Sequence, residues 1–232
     1  MMKSTLMSVA AMIALWCVAH VGNASLLYDM EGNPPPSGFA PNGYPGPITQ
    51  DTIGATQGLS SMKYEVPAGA KFVGALTTDI PAELSNPPGV LAILFDMTID
   101  ADDAFTGESA EIGVTTFGFK DGAFGLQNQF ADSESIADKA PGTYADVVIN
   151  LGEALNGPGA GKSFNDILAD GDLDGITGFQ LYISKSSDAP VTVYIDNIRS
   201  VVPEPDAIAL LGLGAIVLLV AGSKARRGCR TR

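Results

Sequence analysis

Histidine, cysteine and tryptophan are nearly absent from this sequence of 232 residues, which has one His, two Cys and one Trp. They lie near the two ends, as Trp16, Cys17, His20 and Cys229, so residues 25–205 contain none of them. Without histidine or thiol, that stretch cannot build a Ser-His-Asp or Cys-His catalytic site, a zinc site of the usual Cys/His kind, or a disulfide framework. These classes of site are excluded for residues 25–205.

Basic side chains are also scarce in this stretch. Residues 25–205 carry 25 Asp and Glu against 7 Lys and Arg, a formal charge of −18. Such a surface repels nucleic acid and anionic lipid, and it attracts divalent cations and basic partners. We therefore expect no nucleic-acid binding, while the acidity fits either solubility outside the cell or a specific cation function.

The N-terminal residues have the three parts of a secretory signal peptide. Lys3 precedes the apolar residues 6–21, and Gly22-Asn23-Ala24 places small residues where signal peptidase reads the chain. The pattern predicts a signal peptide over residues 1–24, with cleavage after Ala24 and export of the rest. A buried helix or a permanent anchor is the alternative, but the apolar run is short for a membrane span.

The C-terminal residues combine a short motif, an apolar segment and a basic tail. Pro203-Glu204-Pro205 precedes the apolar residues 207–222, and the tail 224–232 includes Arg226, Arg227 and Arg230. A helix over this apolar segment would extend about 23 to 26 Å, slightly less than the ~30 Å hydrocarbon core of a bilayer. Arginines beyond it can snorkel, and they favour the cytoplasmic side, which leaves residues before Pro203 outside.

This arrangement over residues 202–232 resembles the PEP-CTERM sorting signal of Gram-negative bacteria. The resemblance implies recognition by an exosortase, a membrane transpeptidase-like enzyme, after transient anchoring in the inner membrane. It also implies a final location at the cell surface or in the extracellular matrix, in association with extracellular polysaccharide. An ordinary C-terminal anchor with a coincidental Pro-Glu-Pro is the alternative.

Residues 25–201 show short β-type runs separated by turn residues, and no long segment with helical periodicity. Residues 90–95 are apolar on both faces, which indicates a central strand. Ser163 is placed to cap a short helix up to Ala169, which Asp170-Gly171 would end. The pattern predicts an all-β, two-sheet sandwich with strands at 26–30, 60–65, 71–77, 90–99, 111–120, 125–130, 144–150, 177–184 and 191–198.

Three segments suggest a family for this β-sandwich: residues 28–32 (YDMEG), residues 56–64 (TQGLSSMKY) and residues 193–198 (VYIDNI). They resemble the galactose-binding-like jelly roll of carbohydrate-binding modules. The resemblance implies that the first and last strands are neighbours, and that Glu31 and Asp196 hold a structural Ca²⁺ ion. The alternatives are a solvated carboxylate at Glu31, and an edge-strand charge or a bond to turn amides at Asp196.

A second acidic segment, residues 170–175 (DGDLDG), begins like a calcium loop of the EF-hand type. The twelfth position should hold a bidentate acid, but it is Leu181, within a predicted strand. An acidic turn is therefore favoured over a metal site at Asp170, Asp172 and Asp174.

The function predicted from these features is that of an exported, non-catalytic structural or polysaccharide-associated β-sandwich. Sugar binding uses aromatic faces, for which the loop residues Phe39 and Tyr44 are candidates unless they pack in the core. A specific carbohydrate-binding module is the first alternative. A glycoside hydrolase or lyase that uses paired carboxylates is the second.

Overall fold

The structure is a computed structural model that describes residues 24–31, 38–43, 46–85, 90–100, 109–137, 139–186 and 188–202. These residues belong to a unit bounded by Ala24 and Val202. The predicted signal peptide before Ala24, the motif Pro203-Glu204-Pro205, the apolar segment 207–222 and the basic tail lie outside the described residues. Within the described ranges, no helix has the length and apolar character needed to cross a bilayer.

Eleven strands form two antiparallel sheets in the described part of the chain. The six-stranded sheet has the order β3-β4-β11-β6-β9, and β1 also pairs with β11. Its strands are β1 (Ala24–Tyr28), β3 (Ile48–Asp51), β4 (Ser61–Val66), β6 (Ala92–Ile99), β9 (Gly142–Asn150) and β11 (Val191–Val201). The neighbouring position of the first and last strands, implied by the family resemblance, is confirmed.

The five-stranded sheet has the order β2-β5-β10-β7-β8. Its strands are β2 (Ala40–Pro41), β5 (Phe72–Thr77), β7 (Ala110–Lys120), β8 (Ala123–Ser135) and β10 (Gly175–Lys185). Two short helices, α1 (Ala82–Ser85) and α2 (Phe164–Ala169), lie between strands. Ser163 caps α2 by accepting a hydrogen bond from the Asp166 amide at 3.2 Å, as its sequence position predicts.

The core lies between the two sheets because alternate side chains of each strand point inward. Val193 and Ile195 of β11 are fully buried, and so are Phe179 and Leu181 of β10. Phe39 is equally buried and packs edge-to-face against Tyr28 with ring centroids 5.0 Å apart. Phe39 is therefore a core residue, the alternative that the sequence left open, and it offers no exposed platform for sugar.

The sequence-based prediction of a two-sheet sandwich is confirmed, and each of the nine predicted strands matches an observed one. Residues 90–95 do contribute to an inner strand, since β6 lies between β11 and β9. The sequence missed β2 and β3, which have two and four residues within a segment rich in Pro and Gly. Runs this short carry no measurable alternation, so periodicity cannot detect them.

Candidate functional site

Two buried carboxylates face each other on neighbouring strands of the six-stranded sheet. Asp96 of β6 is directly opposite Asp196 of β11. Their side chains point away from the core, on the opposite face of the strand from Ile195, yet they are only 6% and 0% exposed. Like charges at directly opposed positions repel each other, so the fold requires donors around both groups.

Backbone amides and the Thr56 hydroxyl supply these donors to Asp196. Its Oδ2 accepts hydrogen bonds from the amides of Thr56 at 2.6 Å and Gln57 at 2.8 Å. Its Oδ1 accepts one from the Asn197 amide at 2.7 Å. The Thr56 hydroxyl oxygen lies 2.6 Å from Oδ2 of Asp96 and 3.0 Å from Oδ2 of Asp196, so one hydroxyl proton lies between two carboxylates.

Asp96 has its own set of donors. Its Oδ1 accepts from Nη2 of Arg199 at 2.9 Å and from the Asp146 amide at 3.0 Å, and its Oδ2 accepts from Nδ2 of Asn197 at 3.1 Å. Burial raises the pKa of Asp96, but these hydrogen bonds, that of Thr56 and the Arg199 charge together lower the pKa below its ordinary value. We call Asp96, Asp196, Thr56, Asn197 and Arg199 the carboxylate network.

The network coincides with irregularities in β11 and β9, the two strands that pair with β6. The register shifts between Asp196 and Arg199 in β11, and between the partners of Phe95 and Met97 in β9. Asn197 and Asp146 have positive φ angles of 53° and 56° at these shifts. Such a backbone leaves amides outside the regular ladder, and two of these amides donate to Asp96 and Asp196.

Glu31 binds the same loop as Asp196. Oε1 of Glu31 accepts hydrogen bonds from the amides of Leu59 at 2.6 Å and Ser60 at 2.8 Å. Gly58 has a φ of +70°, and a Cβ there would press against the Glu31 carboxylate. The three segments that suggested the family therefore meet at one place, where two carboxylates from 28–32 and 193–198 hold the loop 52–60.

This arrangement allows a test of whether Glu31 and Asp196 fit a shared calcium ion. Ca²⁺ takes six to eight oxygen ligands, but Oε1 of Glu31 and both oxygens of Asp196 accept hydrogen bonds from N–H or O–H groups. Across the described ranges, no group of three or more His, Cys, Asp or Glu side chains could hold a metal ion. Loop amides thus use one oxygen of Glu31 and one of Asp196, and calcium at Glu31 and Asp196 stays a prediction.

The acidic segment 170–175 is bound by lysines. Nζ of Lys162 lies 2.9 Å from Asp170 and 2.7 Å from Asp172. Nζ of Lys120 lies 2.9 Å from Asp174, whose other oxygen accepts a hydrogen bond from the backbone amide that follows Lys120. These contacts are those of an acidic turn, the alternative that the sequence favoured.

The outer face of the five-stranded sheet carries a second set of polar groups. Gln180 and Tyr182 of β10 point away from the core, since the intervening Leu181 is fully buried within it. Oε1 of Gln180 accepts from Nδ2 of Asn42 at 2.9 Å, and the Tyr182 hydroxyl accepts from Nε2 of Gln129 at 2.8 Å. Burial raises the pKa of Tyr182; the Gln129 bond lowers it and the charge of Glu111 raises it, with a net rise.

Glycines opposite β10 keep these side chains flat on the sheet. Gly74 and Gly113 are the cross-strand partners of Tyr182. A Cβ at Gly113 would overlap the Tyr182 ring, and one at Gly74 would overlap the Gln180 amide. Gln180 and Tyr182 are only 2% exposed, so they form the floor of this face rather than its accessible surface.

A shallow cleft of about 420 Å³ opens at one end of this face. The hydroxyl of Ser133 donates to Oε2 of Glu111 at 2.7 Å within it. Serine hydroxyls both donate and accept hydrogen bonds, so the cleft can bind a ligand rich in hydroxyl groups. Its polar lining includes Ser109, Glu111, Ser133, Ser135, Ser184 and Ser186.

The sequence did not single out Glu111, Tyr182 or the serines as site residues, although Glu111, Tyr182 and Ser184 lie in strands that it predicted. The alternation in β10 of buried Phe179, Leu181 and Ile183 with polar residues was available as a signal. It shows which residues share a face, but not that β7 and β8 bring further polar groups beside them. Tyr44, the other proposed platform, lies outside the described residues.

We predict that Thr56→Val destabilises the protein, because the two opposed carboxylates lose the hydroxyl proton between them. Loss of one partner from a buried polar group costs about 1 to 3 kcal/mol, and urea unfolding at pH 7 measures it. Thr52→Val is the matched control on the same loop, where the described structure shows no side-chain hydrogen bond. Equal stability of the two variants would contradict this role of the network.

Urea unfolding of the wild type, repeated with calcium and with chelator, tests the calcium prediction.

The lowered pKa of Asp96 predicts an acid-dependent loss of stability. A carboxyl group with a lower pKa in the folded than in the unfolded state stabilises the fold above its unfolded pKa, about 3.9. This contribution is lost as the pH falls from there through the folded pKa. Unfolding measured from pH 7 to pH 2.5 should therefore show a smaller pH dependence in Asp96→Asn than in the wild type, with lower stability at pH 7. Parallel pH profiles would contradict the assignment.

Comparison with known proteins places the fold. No protein-family model matches the sequence, and no curated protein matches it. A solved structure of a carbohydrate-binding module, CBM28, specific for non-crystalline cellulose, matches with a TM-score of 0.53 and 16% identity. The match covers 78% of this chain and 96% of that module.

A family 11 carbohydrate-binding module from Clostridium thermocellum, solved in complex with a β-1,3-1,4-mixed-linked tetrasaccharide, matches with a TM-score of 0.50 and 15% identity. This match covers 78% of this chain and 96% of the module. At such identities the likeness concerns the fold. The chain thus has a β-sandwich fold like that of carbohydrate-binding modules.

Proposed function

We propose that this protein is an exported, non-catalytic β-sandwich that binds polysaccharide through the outer face of its five-stranded sheet. The observation that carries the proposal is the serine-lined cleft at the end of a flat, hydrogen-bonded polar face. The two similar modules are described as specific for non-crystalline cellulose and as bound to a tetrasaccharide. Those ligands belong to the modules and define the class of compound to test first.

The chemistry of the face suits a neutral polymer of sugars. Each sugar hydroxyl can donate one hydrogen bond and accept others, and the cleft offers serine hydroxyls together with the Glu111 carboxylate. The charge of −18 over residues 25–205 disfavours polymers that carry carboxylates, sulfates or phosphates. A neutral polysaccharide meets no such repulsion.

The residues of the cleft support binding more than catalysis. Glycoside hydrolysis uses a pair of carboxylates about 5 to 9.5 Å apart. In the described residues that line the cleft, Glu111 is the one carboxylate. The paired carboxylates Asp96 and Asp196 are buried in the other sheet and occupied by donors, so they are not available to a substrate.

A matrix component that binds no ligand is the competing proposal, and it differs in what it predicts. Such a protein would need the sandwich and the sorting tail, but no polar face. Three features occur together on one face: side chains that lie flat on the sheet, glycines that leave room for them, and an open cleft. This combination favours binding.

Export and sorting are the second part of the proposal. The signal peptide over 1–24 would bring the chain to signal peptidase and the outside, where Glu111 and its cleft could meet extracellular polysaccharide. At the other end β11 ends at Val201, two residues before Pro203. The Pro203-Glu204-Pro205 motif, the apolar segment 207–222 and Arg226, Arg227 and Arg230 would hold the chain in the inner membrane until an exosortase releases it to the cell surface or matrix.

We predict that the purified protein migrates more slowly in affinity gels that contain mixed-linkage β-1,3-1,4-glucan or a soluble cellulose derivative than in plain gels. Glu111→Gln combined with Ser133→Ala should raise the dissociation constant obtained from the retardation about tenfold or more, because two hydrogen-bonding groups of the cleft are lost. Glu65→Gln, on β4 of the other sheet, is the control. An absence of binding to these and to the host's own exopolysaccharide would leave the matrix proposal.

We predict that the protein recovered from the cell surface begins at Ser25 and lacks residues 207–232, as intact-mass spectrometry can show. A variant with Pro203→Ala and Pro205→Ala should keep these residues and remain in the membrane fraction. Surface protein that still carries Arg226 and Arg230 would contradict sorting by an exosortase.

A further inference from the structure

An exposed pair of stacked phenylalanines lies at the tip of the β7–β8 hairpin. Asp121 and Gly122 form the turn, with φ angles of 48° and 81°, as in a type I′ turn. Phe119 and Phe124 are direct cross-strand partners beside it. Their ring centroids are 5.7 Å apart with an angle of 27° between the planes, and Phe124 is 74% exposed.

The pair lies on the same outer face as the polar floor and the cleft. Phe119 is the cross-strand partner of Gly175 at the start of β10, and a Cβ at Gly175 would press on the Phe119 ring. Glu111 is the partner of Ser184 at the other end of β10. Ser184 lies nine positions after Gly175 along β10, which corresponds to about 30 Å.

Other side chains of the outer face lie between these two ends. Phe117 and Leu76 flank Gly178, three positions after Gly175 along β10. Gln180 and Tyr182 follow, and then the serine cleft begins. The outer face thus changes from aromatic at one end of β10 to hydroxyl-rich at the other.

We propose that Phe119 and Phe124 form a ring-stacking subsite for the polysaccharide, so that one extended sugar chain runs along β10 from this pair to the serine cleft. The inference rests on the proposed function and adds a second contact to it. The C–H groups on the face of a pyranose ring are electropositive and apolar, and they pack on the electron-rich face of an aromatic ring. Phenylalanine has no polar atom, so this end recognises ring faces while the serine end recognises hydroxyl groups.

The stacked geometry prepares Phe124 for this contact. Its ring is supported on one side by Phe119, which itself lies over Gly175, and hairpin pairing fixes the backbone of both residues. A ligand therefore has little side-chain entropy to remove when it binds. The separation of the two ends predicts that a long chain gains affinity from both, whereas a disaccharide occupies only one.

Isothermal titration of the full protein with mixed-linkage β-1,3-1,4-glucan, and with a disaccharide cut from it, tests the proposal. We expect Phe124→Ala to weaken binding of the polymer about fivefold or more, with no change for a disaccharide bound at the serine end. Phe124→Trp should retain polymer binding. Leu155→Ala, which removes another exposed apolar side chain, is the control (Leu155 is 59% exposed).

The outcomes separate this inference from the proposed function. Polymer binding that is equal in the wild type and in Phe124→Ala would overturn the stacking subsite and leave the cleft as the site. Binding of no glucan by the wild type would overturn both. Thermal unfolding checks that each variant is folded, and sedimentation of the wild type and Phe124→Ala shows whether the pair instead joins two copies, which would also overturn the proposal.

Discussion

The structure depends on the hydrogen-bond donors that surround two carboxylates, which its own strand pairing brings together. Asp96 and Asp196 are opposite each other and buried, a placement that is unfavourable without donors. The donors come from the loop 52–60, from the bulges of β9 and β11, and from Arg199. These donors offset the repulsion, and their hydrogen bonds join three strands and a loop. Glu31 extends them to the end of β1 through the same loop.

The two sheets use their outer polar groups differently. On the six-stranded sheet, the polar atoms of the carboxylate network bind one another and the loop that covers them, so they contribute to the fold. On the five-stranded sheet, a similar floor of Gln180, Tyr182 and Gln129 leads to an open cleft. A ligand can reach the cleft, whereas the carboxylate network is covered. This division places the proposed binding surface on the sheet that does not hold the network.

Prediction from sequence succeeded where the signal was local. Alternation located the long strands because one face of each packs on the core, and Ser163 marked the start of α2. It failed for β2 and β3, which are too short to alternate, and it left open the place of Phe39, whose burial depends on Tyr28 and Phe179 from distant strands. For the site, the family resemblance named Glu31 and Asp196 as holders of a calcium ion, which stays a prediction, and the structure shows that both bind one loop. It could not show that their oxygens are filled by amides.

By itself, the sequence determined which chemistries are absent from residues 25–205 and where the long strands lie, because composition and alternation are properties of consecutive residues. The tertiary structure alone decided what the acidic and aromatic side chains do. Asp196 binds amides 140 and 139 residues away, and Glu111 shares its cleft with serines of β8, β10 and the segments beside them. Such partners are set by sheet order and register, which bring together groups that no local pattern connects.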